Sequence, residues 1–271
     1  MKVEDFNEII YNKEENGICT ITLNIPKRKN AMSKITYLEI ETALNDMEID
    51  KNANVLIFTG CEEANAFSSG NYFGSFQDIK PEIKNEIDFL DVAEKKIALK
   101  IWDFPKPVIF AINGLAIGSA VSICLLGGDL IYMSEDAWIG LYYIRNAVLP
   151  ILGTHFILPR LIGLQKAKEL LYLGDKITAR EAETLGLVNK VLPADQLIPY
   201  AREQALRLIP PKGPSVAIKL MKKTIHTYFK DILTKILDLE NTHNQSITKT
   251  HDFREATRAF ALKRPPKFKG K

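Results

Sequence analysis

The chain of 271 residues is 46% hydrophobic and carries 36 lysines and arginines against 33 aspartates and glutamates. This size fits one large domain, or one domain with a helical appendage, and the nearly balanced, scattered charge argues against nucleic-acid binding. Three cysteines lie far apart without a CxxC pair, which argues against a disulfide framework or a zinc site and favours a reducing compartment. The sequence shows neither a signal-peptide pattern nor an apolar run of about 18 residues, so we expect a cytoplasmic protein without a membrane partner.

Strands and helices alternate in the first half of the sequence. Apolar, β-branched runs predict strands at 18–23, 55–60, 108–112 and 130–133. Ser33 is a candidate N-cap for a helix that follows the first strand, and a long amphipathic helix is predicted to carry Ile87 through Ile101. This alternation predicts an α/β fold with a parallel sheet and helical crossovers.

The sequence from Pro159 onward is predicted to be mostly helical. Thr178 and Glu181 match a capping box, and a short strand is expected at 187–192. Further helices are predicted from Gln196 to the prolines at 210–211, then at 215–229, 231–246 and 252–262. The proline- and glycine-rich segment 210–214 divides the chain into a core, residues 1–210, and a helical C-terminal region, residues 211–271.

Two glycine-bearing loops follow predicted strands, FSSGN after VLIFTG and GLAIGSA after PVIFAIN. Loops at the carboxyl ends of parallel strands converge, so one backbone N–H from each loop could bind the same oxygen atom. Such an oxyanion hole would suit a thioester. Glycines are also common in ordinary turns after strands, so the spacing alone leaves a structural role open.

Almost the whole sequence resembles the crotonase, or enoyl-CoA hydratase/isomerase, superfamily. The resemblance rests on TLNIPKRKNAMS, AFSSGNYFGSF, KPVIFAINGLAIG, LIGLQKAKELLYLGDKITAREAETLGLVNKVLP and the tail AFALKRPPKFKG. It implies a repeated ββα spiral with a C-terminal helical trimerisation region, assembled as a trimer or a hexamer that is a dimer of trimers. It also implies an acyl-CoA thioester as ligand, with coenzyme A as part of the substrate and no separate cofactor or metal.

The resemblance carries residue roles to this chain. Asn71 and Ser119, the latter in place of a usual glycine, would supply the two oxyanion-hole N–H groups. The coenzyme A moiety would lie near the basic segment, the two glycine loops and the C-terminal tail. The residues expected there are Lys27, Arg28, Lys29, Ala66, Ser68, Gly70, Gly118, Lys263 and Lys267, with the tail lysines reaching a phosphate that a neighbouring subunit could bind.

The positions of the family's catalytic acids are not acidic here. The resemblance places Ser122, or Ile123 if the segment is one residue longer, at the first glutamate and Tyr143 at the second, and Ile151 at the isomerase carboxylate. Hydration needs groups that activate water and protonate carbon, and serine is a poor substitute. We therefore expect a hydratase/isomerase-type enzyme with an unusual acid such as Tyr143.

Two alternatives stay open from the sequence. An acyl-thioester decarboxylase needs no strong base, because the loss of CO₂ itself generates the enolate. A non-catalytic, CoA-binding scaffold could have kept the fold and lost the acids. His155 is a further titratable candidate, although a structural histidine would fit the same position.

Overall fold

A computed structural model describes residues 1–72 and 81–271, except for the side chains of Pro81 and Glu82. The end of the predicted loop at 66–76 lies outside these residues. The strands are β1 (Ile9–Lys13), β2 (Ile18–Leu23), β3 (Val55–Gly60), β4 (Ala66–Ser68), β5 (Val108–Ile112), β6 (Leu115–Ile117), β7 (Leu130–Ser134), β8 (Trp138–Gly140), β9 (Lys176–Thr178) and β10 (Lys190–Leu192). The helices are α1 (Lys34–Ile49), α2 (Pro81–Lys84), α3 (Lys95–Asp103), α4 (Ser119–Gly127), α5 (Thr154–Ile162), α6 (Leu164–Leu173), α7 (Ala179–Thr184), α8 (Ala194–Leu208), α9 (Ser215–Ile247) and α10 (His251–Ala261).

The larger sheet has six strands in the order β1-β2-β3-β5-β7-β10. The pair β1 and β2 is antiparallel, and the other pairs are parallel. All four strands predicted in the first half belong to this sheet, so the α/β class with parallel strands and helical crossovers is confirmed. The sequence analysis missed β1, and the strand expected at 187–192 is shorter, because only Lys190–Leu192 pairs with β7.

A second sheet of four short strands, β4-β6-β8-β9, was not predicted. Each of its strands has three residues, too few for a period-two pattern to stand out. The chain passes from a strand of the large sheet to a strand of the small sheet and then to a helix, as in β5, β6 and α4. This is the repeated ββα path that the resemblance implied, and it brings the ends of β4 and β6 together.

The core lies on both faces of the large sheet, because alternate residues of each strand point to opposite sides. Phe58 and Phe110 face the main core with α1, α3 and α4, and their rings stack with centroids 5.0 Å apart. On the other face, Ile57 and Ile109 pack in a smaller cluster against α8.

The long amphipathic helix predicted to carry residues 87–101 is wrong in extent. The helix α3 begins only at Lys95, because Glu94 has a left-handed backbone with φ of 56°. The carboxylate of Asp91 accepts the N–H groups of Lys95 and Lys96 at 2.8 and 2.9 Å, which caps the start of the helix. Leu90, expected on the apolar face, is 74% exposed.

The two helices predicted at 215–229 and 231–246 are one continuous helix, α9, of 33 residues. No proline or glycine interrupts the sequence between them, so nothing breaks the helix. In α9, the buried Lys222 donates to Asp129 Oδ2 at 2.6 Å, and the same oxygen accepts Val108 N–H at 2.8 Å. Within residues 1–72 and 81–271, no helix has the length and apolar character needed to cross a membrane.

Candidate active site

Two glycine turns meet where β4 and β6 end. The strands are parallel neighbours in the small sheet, so their carboxyl ends lie side by side. Gly70 has φ of +95°, and a Cβ atom there would come within 2.7 Å of Ile117 O. Gly118 has φ of +55° and is followed directly by Ser119, the first residue of α4. Both turns therefore need glycine, and their close packing brings Asn71 and Ser119 to one place.

The backbone on either side of Asn71 is fixed by a short bridge to Met32. Met32 N–H donates to Gly70 O and Tyr72 N–H donates to Met32 O, both at 2.8 Å. The side chain of Asn71 is held as well, because its Oδ1 accepts the buried Tyr37 hydroxyl at 2.6 Å. As the first residue of α4, Ser119 has an N–H that no preceding turn of the helix can accept. This pair can receive a developing negative charge on an oxygen atom.

Ser122, Tyr143 and Thr154 form a buried chain of hydroxyl groups behind the turn. Ser122 Oγ lies 2.7 Å from the Tyr143 hydroxyl and 2.5 Å from Thr154 Oγ1. The chain ends on carbonyl groups, with Thr154 donating to Ile151 O at 2.6 Å and Ser122 reaching Gly118 O at 3.2 Å. Thr154 was missed by the sequence analysis, since only the fold brings its hydroxyl to Ser122.

The Tyr143 ring lies against Gly118, where an added Cβ would be 3.7 Å from the ring carbon Cζ. Burial raises the pKa of the Tyr143 hydroxyl above its ordinary value, although the hydrogen bond with Ser122 acts to lower it. Tyr143 is therefore a neutral hydroxyl at physiological pH, able to donate a proton beside the turn that carries Ser119.

Side chains of α9 hold the loops around this cluster. Glu240, which is buried, accepts Gly153 N–H at 2.8 Å and His155 N–H at 3.2 Å. Asn241 Oδ1 accepts Val92 and Ala93 N–H, and Asn244 Oδ1 accepts Leu149 N–H at 3.1 Å. His155 Nδ1 lies 2.8 Å from Glu240 Oε1, so this histidine is bound to a buried carboxylate. The α9 helix thus positions the loops before α3 and α5.

Glu94 is a buried carboxyl that sequence reasoning missed. Burial raises the pKa of Glu94 to about 7, although Lys34, whose Nζ lies 2.8 Å from Oε1, acts in the opposite direction. Burial, with the Glu94 charge as a further cause, raises the pKa of the Tyr37 hydroxyl. Glu94 therefore acts electrostatically on the residue that holds Asn71. The only signal in the sequence was an acidic residue at an apolar position of the predicted amphipathic helix, and the helix prediction gave no reason to single it out.

The residues expected to bind coenzyme A lie in three different settings. Lys27 and Lys29 are exposed, whereas Arg28 is bound to Glu8 at 2.5 Å and stacks over the Tyr72 ring at 4.4 Å. Ala66 is buried in β4, and the buried Ser68 hydroxyl donates to Asn30 O at 2.6 Å. The side chains of Ala66 and Ser68 thus pack inside the protein, which leaves the exposed lysines as the available phosphate-binding groups of this region.

The two tail lysines are both exposed. Lys263 follows α10 with a left-handed backbone, and the backbone N–H of Lys267 donates to Glu255 Oε1 at 2.8 Å. Glu255 also binds Arg264 at 2.6 Å, so the tail is folded back onto α10 while both ammonium groups face solvent. A phosphate role for Lys263 and Lys267 stays a prediction.

Three proteins are similar to this chain over nearly their full length. The 1,2-epoxyphenylacetyl-CoA isomerase of Escherichia coli is 28% identical, covering 97% of this chain and 99% of the relative. The crotonyl-CoA hydratase of Syntrophomonas wolfei is 31% identical, covering 97% and 98%. A crystal structure of an enoyl-CoA hydratase/isomerase from Pseudoalteromonas atlantica superposes with a TM-score of 0.85 at 23% identity, covering 97% and 100%, which supports the fold.

The fold and these relatives define the class of protein, an enzyme of the enoyl-CoA hydratase/isomerase kind. The family model named enoyl-CoA hydratase/isomerase matches residues 13–271. The chain belongs to this family, and the crotonase resemblance and the crotonase-like fold are confirmed. No group of three or more potential metal ligands occurs among the residues that the structure describes.

Proposed function

We propose that this enzyme converts an acyl-CoA thioester through an enolate held by the backbone N–H groups of Asn71 and Ser119. The observation that supports the proposal is the close approach of the turn at Gly70 to Ile117 and Ser119. N–H groups fixed before the reaction stabilise the enolate oxygen more than the neutral carbonyl, and this difference lowers the barrier. The coenzyme A that the substrate carries is the only cofactor the proposal needs.

Tyr143 is the proposed proton donor for the α-carbon. In a hydration, water adds to the β-carbon, Tyr143 protonates the α-carbon of the resulting enolate, and the proton that the added water releases restores the phenol. In a shift of the double bond away from the thioester, Tyr143 protonates the α-carbon and the proton lost from the γ-carbon restores the phenol. The Ser122 hydroxyl, 2.7 Å from the phenolic oxygen, stabilises this oxygen between the two proton transfers. The protonation of the α-carbon needs no carboxylic acid, because the proton donor only has to be protonated at the working pH.

Decarboxylation is a second candidate, favoured by the hydroxyl chain itself. Among the described residues, Ser122 and Tyr143 have only hydroxyl and backbone groups as hydrogen-bond partners. In a decarboxylation, the bond between the α-carbon and the carboxylate breaks, its electron pair enters the enolate and CO₂ leaves. Tyr143 then donates a proton to the α-carbon, and no base is required.

Mass spectrometry of acyl-CoAs incubated with the protein in D₂O separates these reactions. The panel contains 2-enoyl, 3-enoyl and malonyl-type thioesters. A gain of water, deuterium at the α- or γ-carbon with a shifted double bond, and a loss of CO₂ identify hydration, isomerisation and decarboxylation, respectively. Binding of CoA without any conversion would contradict the proposed mechanism and favour the scaffold alternative.

The Ser119→Pro variant tests the N–H at Ser119 directly. Proline is well tolerated as the first residue of a helix, but it lacks the N–H group. We expect turnover to fall by about 100-fold or more, the usual loss for one oxyanion-hole donor. Unchanged turnover in a variant with a wild-type circular dichroism spectrum would rule out this role.

We also propose that copies of the chain associate through α9 as a trimer or a hexamer. One face of the helix carries Met221, Ile225, Tyr228 and Ile232, each between 46% and 79% exposed, and Val216 and Leu220 are exposed nearer the start of the helix. Phe260 and Leu262, in and after α10, add to the exposed apolar surface. Several large apolar side chains exposed close together are typical of a protein interface.

A further inference from the structure

Ser119 carries a buried hydroxyl group whose hydrogen-bonding capacity is unused. The residue is 2% exposed, and within the described chain its Oγ has no hydrogen-bond partner. An unpaired buried hydroxyl is unfavourable, because it has lost its water without gaining a partner. Such a group in a binding site points to a ligand that forms the missing hydrogen bond.

The Ser119 hydroxyl lies at the place where the two glycine turns meet. Its Oγ would be 3.7 Å from a Cβ atom built on Gly70. A weak interaction of the Ser119 hydroxyl with the Tyr37 hydroxyl acts to lower the pKa of Tyr37, so Ser119 Oγ lies near the phenolic oxygen that donates to Asn71 but outside hydrogen-bond geometry with it. The unpaired hydroxyl is therefore beside Asn71 and on the same residue as the second proposed N–H donor.

We propose that the Ser119 hydroxyl is a third, side-chain donor to the thioester oxygen, in addition to the N–H groups of Asn71 and Ser119. This inference rests on the proposed function. A carbonyl oxygen has two lone pairs, which the two N–H groups satisfy. An enolate oxygen has a third pair and a negative charge, so a third donor stabilises the enolate selectively.

A nucleophilic role for the same hydroxyl is disfavoured by its surroundings. An attacking serine must give its proton to a base within hydrogen-bond distance, and the described residues offer no such partner. A donor needs no base, because its proton stays on the serine oxygen and no covalent bond forms or breaks at Ser119.

Ser119→Ala removes the hydroxyl and keeps the N–H group. Ser134 provides a matched control, since its hydroxyl is also buried without a partner among the described residues but lies at the end of β7. The probe is a 3-ketoacyl-CoA, whose enolate absorbs in the near ultraviolet, so its fraction can be titrated while bound to wild-type protein, Ser119→Ala and Ser134→Ala.

We expect wild-type protein and Ser134→Ala to bind the enolate equally well. In Ser119→Ala, the pKa of the bound ketoacyl-CoA should rise by about one to two units. This rise corresponds to a 10- to 100-fold smaller ratio of bound enolate to bound ketone at a given pH. A thioether analogue without the carbonyl should bind all three proteins with equal affinity, because it makes no contact with the donor.

Three results would overturn the inference. Equal enolate stabilisation by wild-type protein and Ser119→Ala would show that the hydroxyl is not a donor, while leaving the backbone oxyanion hole intact. No enolate stabilisation by wild-type protein would contradict the proposed function and the inference together. An acyl group on Ser119, detected by intact-protein mass spectrometry with a thioester substrate, would make the serine a nucleophile.

Discussion

At the scale of single residues, the candidate site is built on hydroxyl groups. Ser122 and Tyr143, which the sequence resemblance aligns with the family's glutamates, form a chain of neutral hydroxyls with Thr154. Buried carboxyls occur instead at Glu94, bound to Lys34, at Glu240, bound to backbone N–H groups and His155, and at Glu39, which accepts three backbone N–H groups. Under the proposed function, proton donation and charge stabilisation would come from separate groups around the two turns.

Glu94 gives a pH-dependent contribution to stability. Burial raises its pKa from 4.5 to about 7, so the folded protein keeps a proton that the unfolded chain has released between these pH values. Stability must therefore fall as pH rises through this window, by roughly 3 kcal/mol, and level off above it. Glu94→Gln should remove this decrease, as measured by urea unfolding at a series of pH values. Glu41→Gln, which breaks the more exposed ion pair of Glu41 with Lys96, should retain it; an unchanged slope in Glu94→Gln would contradict the assignment.

Tyr143→Phe tests the proposed acid. The variant keeps the buried ring against Gly118 and removes the hydroxyl that contacts Ser122. Loss of a general acid should lower kcat by about 100-fold or more with little change in KM. Because the pKa of Tyr143 is raised, wild-type activity should not fall through loss of this proton near neutral pH. Incorporation of deuterium into substrate measures the step, and a wild-type rate in Tyr143→Phe would exclude it as the donor.

At the scale of helices and strands, long elements were predictable and short ones were not. Four strands of the large sheet, β2, β3, β5 and β7, were predicted because each is a mostly apolar, β-branched run that is visible in the sequence, whereas β1 was missed. The N-cap predicted at Ser33 and the capping box predicted at Thr178 are likewise local, and in both cases the N-cap side chain accepts a backbone N–H of the first turn. The three-residue strands carry no periodic signal, and the contact of Thr154 with Ser122 depends on packing. The residues of the two turns could be named, but their closeness is a property of the small sheet.

The turn at Gly70 gives a prediction at this scale. Gly70→Ala places a Cβ within 2.7 Å of Ile117 O at a left-handed φ, so the turn must move away from Gly118. A displacement of about 1 Å can cost about 100-fold in rate. Gly163→Ala has a similar φ of +79° but open space around its Cβ. It should lose only the roughly 1–3 kcal/mol of stability that the strained backbone costs and keep its activity. Steady-state kinetics and thermal unfolding of both variants test this prediction. Equal activities of the two variants would show that activity does not depend on the close contact between the turns at Gly70 and Gly118.

At the scale of the whole molecule, α9 has two distinct faces. One carries Glu240, Asn241 and Asn244, which accept backbone N–H groups from the loops of the candidate site. Another carries the exposed apolar side chains proposed as an interface. The division into residues 1–210 and 211–271 stays a prediction from the sequence, and the buried Lys222–Asp129 pair ties the two parts together.

Ile225→Asp tests association through α9. Ile225 is 58% exposed in the middle of the apolar face. A charge buried there without a partner should weaken association by about 100-fold or more. Size-exclusion chromatography with light scattering should show wild-type oligomers and smaller species for the variant. Ile49→Asp, at an 82% exposed position at the end of α1, should not change the assembly. A monomeric wild-type protein would refute the proposal.

Because α9 both holds the site loops and carries the proposed interface, activity should depend on the protein concentration. The helix that orders the loops around Ser122 and Tyr143 is also the one that would be steadied by neighbouring copies. Subunit association and ordering of the site loops are then thermodynamically coupled, so that each makes the other more favourable. Specific activity would decline on dilution, in the range where the copies separate, even though every catalytic residue belongs to a single chain.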